Sequence, residues 1–181
     1  MKSCLILTFY LVALLCISCR SPVPHERTKE IDSLLTLLLT VQDTLSSPMV
    51  QLLDEMSRQI SSDLKHLTDS FPQVDQDLPE NDNITAYRIL YQDLEDCLEA
   101  CQTYQGDIFI IESHLNDLRL ELNNKDADIG VVYENIDREK DLLFELKGQV
   151  DSNISRIQLH QNEYIILKPL IDSLKQTGYT D

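Results

Sequence analysis

The residues of this 181-residue chain best suited to chemistry are two cysteines, Cys97 and Cys101, spaced i, i+4. On a helix that spacing puts both thiols on one face, a turn apart. A thiol pair can bridge, carry redox chemistry or hold a metal. Zinc wants four ligands, and His114 and His160 are the imidazoles that would complete a set. Chain distance argues against that set. In an antiparallel hairpin turning near Asp126, Cys97 lies opposite about Asn153 to Ser155, His160 faces Leu90 to Leu94, and His114 sits close to the turn. The alternative is two buried thiols packing as small apolar groups. Asp63 and His66 share an i, i+3 spacing that could serve a metal. A di-iron bundle, however, needs Glu-x-x-His on two helices, and none occurs. The abundant carboxylates read as solvated helix faces. No dinucleotide fingerprint, phosphate-binding loop or hydrolase elbow is present. The sequence therefore points to no catalytic residue, no metal site and no cofactor, and to a non-enzymatic protein.

Three stretches have the period of helices. The first, from about Glu26 to Phe71, carries a stripe of Ile31, Leu34, Leu38, Val41 and Leu45, then Met49, Leu53, Met56, Ile60, Leu64, Leu67 and Phe71. Ser46-Ser47-Pro48 interrupts it: proline lacks the helical donor, and Ser47 before Pro48 is a good cap for a new start. The segment is either one helix kinked at Pro48 or two in tandem. Pro72 to Asn83 reads as a loop. The second helix, from about Ile84 to Asn123, has a seam running from Tyr87 through Cys97 and Cys101 to Leu122 in alternating steps of three and four, the heptad pattern of a helix packed along its length. Asn123 to Asp128 is a polar turn. The third helix, from about Ile129 to Lys175, repeats the pattern with three polar seam positions, Glu139, Asn153 and His160. Such residues commonly specify register. Pro169 near its end is a place to kink or stop. The expectation is an all-α, elongated antiparallel bundle of three long helices with coiled-coil-like seams, or a four-helix bundle if the first helix splits. Four Gly and six Pro are too few for a turn-rich β protein.

The first nineteen residues, MKSCLILTFYLVALLCISC, are of a different kind. Lys2 precedes an apolar run from Leu5 to Ile17, which is short for a bilayer span and the size of a signal-peptide core. The chain then turns polar at Arg20. The stretch Cys16-Ile17-Ser18-Cys19 resembles the lipobox of bacterial lipoproteins, with Ser18 and Cys19 in the small-residue and cysteine positions and Cys16 where Leu is usual. The resemblance implies cleavage after Ser18, a lipid on Cys19, and membrane anchoring in the cell envelope. Arg20 in place of Asp implies, by the same analogy, the outer membrane. An ordinary secretory signal cut at the same place, giving a secreted or periplasmic protein, is the alternative. This divides the chain into a signal peptide (1–18), a lipidated cysteine with a flexible tether (19–27) and a helical bundle domain (28–181).

The formal net charge is −16, and removing the signal peptide takes away only Lys2, which leaves −17. Such a chain repels phosphate backbones and gains nothing from an anionic lipid surface, so nucleic acid is excluded as a partner and membrane association falls to the lipid. The reading is an envelope lipoprotein acting as a helical protein-binding or spacer module with an unknown protein partner. Spare apolar positions (Leu35, Leu37, Leu39, Phe109, Ile165, Ile166) permit a homo-oligomer. A thiol- or metal-dependent sensor using Cys97 and Cys101, and a secreted helical effector or inhibitor, are the other readings.

Overall fold

The computed structural model describes residues 24–70 and 82–177. The signal peptide, Cys19, the expected stripe residue Phe71 and the expected loop as far as Asn81 lie outside the described residues. The chain folds as α1 (Pro24–Leu45), α2 (Pro48–Ser70), α3 (Asp82–Glu121) and α4 (Ile129–Thr177). No strand occurs among the described residues. The fold is the expected all-α bundle of three long rods, the first bent at Ser46–Ser47 into α1 and α2. At 1.5 Å per residue α3 is about 60 Å long and α4 about 73 Å. α1 and α2 run parallel to α4, and α3 runs back between their ends, sharing its most extensive contact with α4.

The seams form as the heptads require. Leu94, Cys97, Leu115, Ile136, Leu143 and Ile157 are wholly buried, and Glu139, Asn153 and His160 are buried with them. The α3–α4 turn is built from its own polar residues. Asn124 Oδ1 accepts from the Asp126 N–H at 3.1 Å, and Asp128 Oδ1 accepts from the Gly130 N–H at 3.0 Å, which caps the start of α4. Pro169 does not stop α4, which continues through it to Thr177.

Two features of the first rod differ from the sequence reading. α1 starts at Pro24, inside the stretch assigned to the tether, because Arg27 is pinned to the bundle. Its guanidinium bonds Glu30 and Asp137 at 2.7 Å each and lies 4.9 Å over the Tyr133 ring. The seam of α2 is also shifted. Leu64 is only partly buried, whereas Asp63, one residue earlier, is 1% exposed. The steps Met49, Leu53, Met56, Ile60 are four, three, four, so the next seam position is 63, and heptad geometry outweighs the apolar character of Leu64. Between the equivalent seam residues Leu45 and Leu53 the chain carries one residue more than a heptad. The bend absorbs it: Ser47 O accepts from Val50 N–H at 3.0 Å, and Pro48 takes the first helical position.

Truncation separates seam from surface on a single helix. Leu115→Ala, at a fully buried position, is expected to lower the unfolding free energy by about 2–5 kcal/mol in urea titrations. Phe109→Ala, whose ring is 72% exposed, is expected to change it by no more than about 0.5 kcal/mol.

Candidate functional site

The two sequence-selected thiols sit together in the α3–α4 seam and are both free and buried. Facing them is Asn153 of α4, within the stretch that the hairpin geometry places opposite Cys97. Asn153 Nδ2 donates to the Cys97 carbonyl oxygen at 3.1 Å and to Cys101 Sγ at 3.3 Å. Burial raises both thiol pKa values. The nearby Arg156 charge opposes this at Cys97, and the Asn153 hydrogen bond opposes it at Cys101, but neither reverses it. The thiols are therefore protonated near neutral pH and poor nucleophiles, which weakens the sensor reading.

The histidines are not drawn to them. His114 Nδ1 pairs with Glu139 Oε1 at 3.0 Å, and His160 Nδ1 with Glu163 Oε2 at 2.9 Å. No group of three or more His, Cys, Asp or Glu able to hold a metal occurs among the described residues. Cys97, Cys101, His114 and His160 do not assemble into a site, and Asp63 and His66 do not act as a pair: Asp63 points into the core and His66 is exposed.

Asp63 is instead the centre of the densest polar cluster among the described residues, which the sequence reading missed. Its Oδ1 accepts from Lys175 Nζ at 2.6 Å and Gln59 Nε2 at 3.1 Å, and its Oδ2 from Tyr87 O–H at 3.0 Å and Lys168 Nζ at 3.2 Å. All four acceptor positions of the carboxylate are filled. Asp172 also bonds Lys168, so two carboxylates balance two ammonium groups. Tyr87 stacks on Tyr164 with ring centroids 6.4 Å apart. α2, α3 and α4 are thus tied at one point, near the end of the rod opposite the α3–α4 turn. A saturated carboxylate has no lone pair left for a substrate proton, so the cluster acts as a clasp. A signal for it was present: Lys140, Lys147, Lys168 and Lys175 fall on one heptad column of α4, and that column faces α1 and α2.

Burial raises the Asp63 pKa, but the hydrogen bonds from Lys175, Tyr87 and Lys168 outweigh it and hold the carboxyl below its ordinary range. Burial first, and Asp63 second, push the Tyr87 phenol upward. Because the Asp63 pKa is lowered on folding, the clasp contributes in full above the unfolded-state value of about 3.9 and is lost as pH falls through the folded-state value. Asp63→Asn is expected to cost about 2–4 kcal/mol near neutral pH. It should also flatten the loss of stability as pH falls below about 4. Denaturant midpoints of the two proteins across that window check both effects; parallel pH curves would rule the clasp out as the acid-sensitive tie.

The chain matches no family model, no curated protein and no solved structure.

Proposed function

We propose that the protein is a non-enzymatic cell-envelope lipoprotein, held on the outer membrane by a lipid on Cys19, whose bundle serves as a helical protein-binding or spacer module. The observation that carries this reading is where the buried polar groups go. The largest cluster, around Asp63, ties three helices together and leaves no open acceptor, and the thiols face Asn153 in a packed seam. The chain's polar investment inside the bundle goes into holding long helices in register.

The geometry of the rod suits an anchored module. α1 begins at Pro24, five residues after Cys19, a distance of at most about 17 Å of extended chain. Arg27 bonds Asp137, and Arg119 pairs with Asp32, so the start of α1 lies beside the α3–α4 turn. That end is membrane-proximal in the proposed arrangement, and the Asp63 clasp is remote from the bilayer. No helix among the described residues is long and apolar enough to cross a membrane, so in this reading attachment rests on the lipid.

The intact mass of the mature protein from the membrane fraction tests the anchor. It is expected to start at Cys19 with added acyl chains, and a Cys19→Ala variant is expected to lack them and leave the membrane fraction. A mature mass without acyl chains would move the protein to the periplasm or medium and end the lipoprotein reading.

A further inference from the structure

Three shallow cavities lie in a row along one side of the α3–α4 pair. The first, about 330 Å³, is lined by Ile89, Asp93, Glu163 and Ile166; the second, about 420 Å³, by Tyr104, Gly148, Asn153 and Arg156; the third, about 240 Å³, by Asp107, Ile110, Leu142 and Glu145. Together they make a groove from Ala86 to Ile111 on α3, about 38 Å long and enough for a helix of about 25 residues. The groove is the heptad flank of both helices turned away from α1 and α2, whose contacts use the opposite flank, as Lys140–Glu30 and Lys168–Asp63 show.

Its two ends are apolar and exposed. Ile89 is 53% and Ile166 66% accessible at one end, and Ile110 is 51% accessible at the other. Its middle is open: an added Cβ at Gly148 would meet nothing within 4 Å. One acceptor beneath it lacks a donor. Among the described residues the buried side-chain oxygens without a hydrogen-bond partner are Asn153 Oδ1 and Glu139 Oε2. Asn153 lines the middle cavity, whereas Glu139, which pairs through its other oxygen with His114, lines none of the three cavities and lies past the Ile111 end of the groove. The rim is acidic. Along this stretch the two flanks carry five carboxylates (Asp93, Asp96, Asp107, Glu145, Glu163) and one guanidinium, Arg156.

We propose that the α3–α4 groove docks a basic amphipathic helix of a partner protein, which completes a four-rod bundle. Apolar residues of that helix fill the two ends, and lysines or arginines on its flanks meet the carboxylate rim. A second copy of this chain is a poor occupant, because it would set one acidic rim against another in a chain of net charge −16. The inference deepens the protein-binding reading and is independent of whether Cys19 carries lipid.

The test uses the mature protein in phosphatidylcholine nanodiscs, with empty discs as the blank, or in buffer if Cys19 proves unlipidated. The probes are two labelled synthetic 25-residue helices with leucine at heptad positions a and d, one flanked by lysine and arginine and the other by glutamate. The basic peptide is expected to bind at least about tenfold more tightly than the acidic one. Ile110→Glu combined with Ile166→Glu should remove that binding, and Phe109→Glu, on the other flank of α3, should leave it intact. Asp93→Lys, Asp107→Lys, Glu145→Lys and Glu163→Lys together, which leave one carboxylate against five cations on the two flanks, should invert the order of the two peptides, a result that general loss of folding cannot mimic. Equal affinity for both peptides, or binding indifferent to the Ile110 and Ile166 changes, would overturn the proposal. So would a self-dimer that those changes dissolve, since the occupant would then be a second copy. The mass of the mature chain reports on the anchor separately, so failure of the groove and failure of the envelope reading are distinguishable.

Discussion

Three rods of about 60–70 Å can pack side by side only if each keeps one narrow stripe turned to the others along its whole length. Alternating steps of three and four residues do this, and both long helices obey the rule from end to end. Everything else in the bundle is placed relative to that stripe. A polar residue on it can be buried, as Asp63 and Asn153 show, while an apolar residue one step off it can be exposed, as Phe109 beside Ile108 shows. The stripe also explains the bend at Ser46–Ser47. The first rod carries one residue too many for unbroken heptads, and a capped restart at Pro48 restores the phase.

The polar residues on the stripe divide into two kinds. Asp63 is fully compensated by two lysines, a tyrosine and a glutamine from three helices. Breaking such a group is costly because the charge would remain buried, so it acts against any register in which the lysine column of α4 slides past α2. Asn153 and Glu139 are only half satisfied, each with one oxygen lacking a donor. Both belong to the α3–α4 seam, which on its outer side also carries a row of open cavities. One end of the bundle is thus closed by a saturated clasp, while the α3–α4 seam keeps two buried oxygens without a donor.

The thiols take their character from the same packing. Cys97 and Cys101 occupy consecutive stripe positions, so the property that places them side by side also removes them from water and raises their pKa values. Their spacing suggested reactivity, and their burial opposes it. The histidines differ for a related reason: each has a carboxylate within reach, and neither approaches the thiols.

Much of this was legible in the residues alone. The heptads of α3 and α4, the polar turn between them, the break before Pro48 and the placing of Asn153 opposite Cys97 follow from spacing, because a helix converts sequence separation directly into angle and distance. The apolar run before Cys19 and the charge of the chain likewise belong to the sequence and owe nothing to the fold. What the sequence could not supply was which flank of each helix meets which neighbour. That choice is made only when three rods pack at once, and it decides that Lys168 and Lys175 converge on Asp63 rather than on solvent. It also decides that Ile110 and Ile166 border a common groove instead of standing alone. Leu64 shows the limit in a single residue: hydrophobicity nominated it for the core, and the phase of its helix, locked by partners on α3 and α4, gave the place to an aspartate.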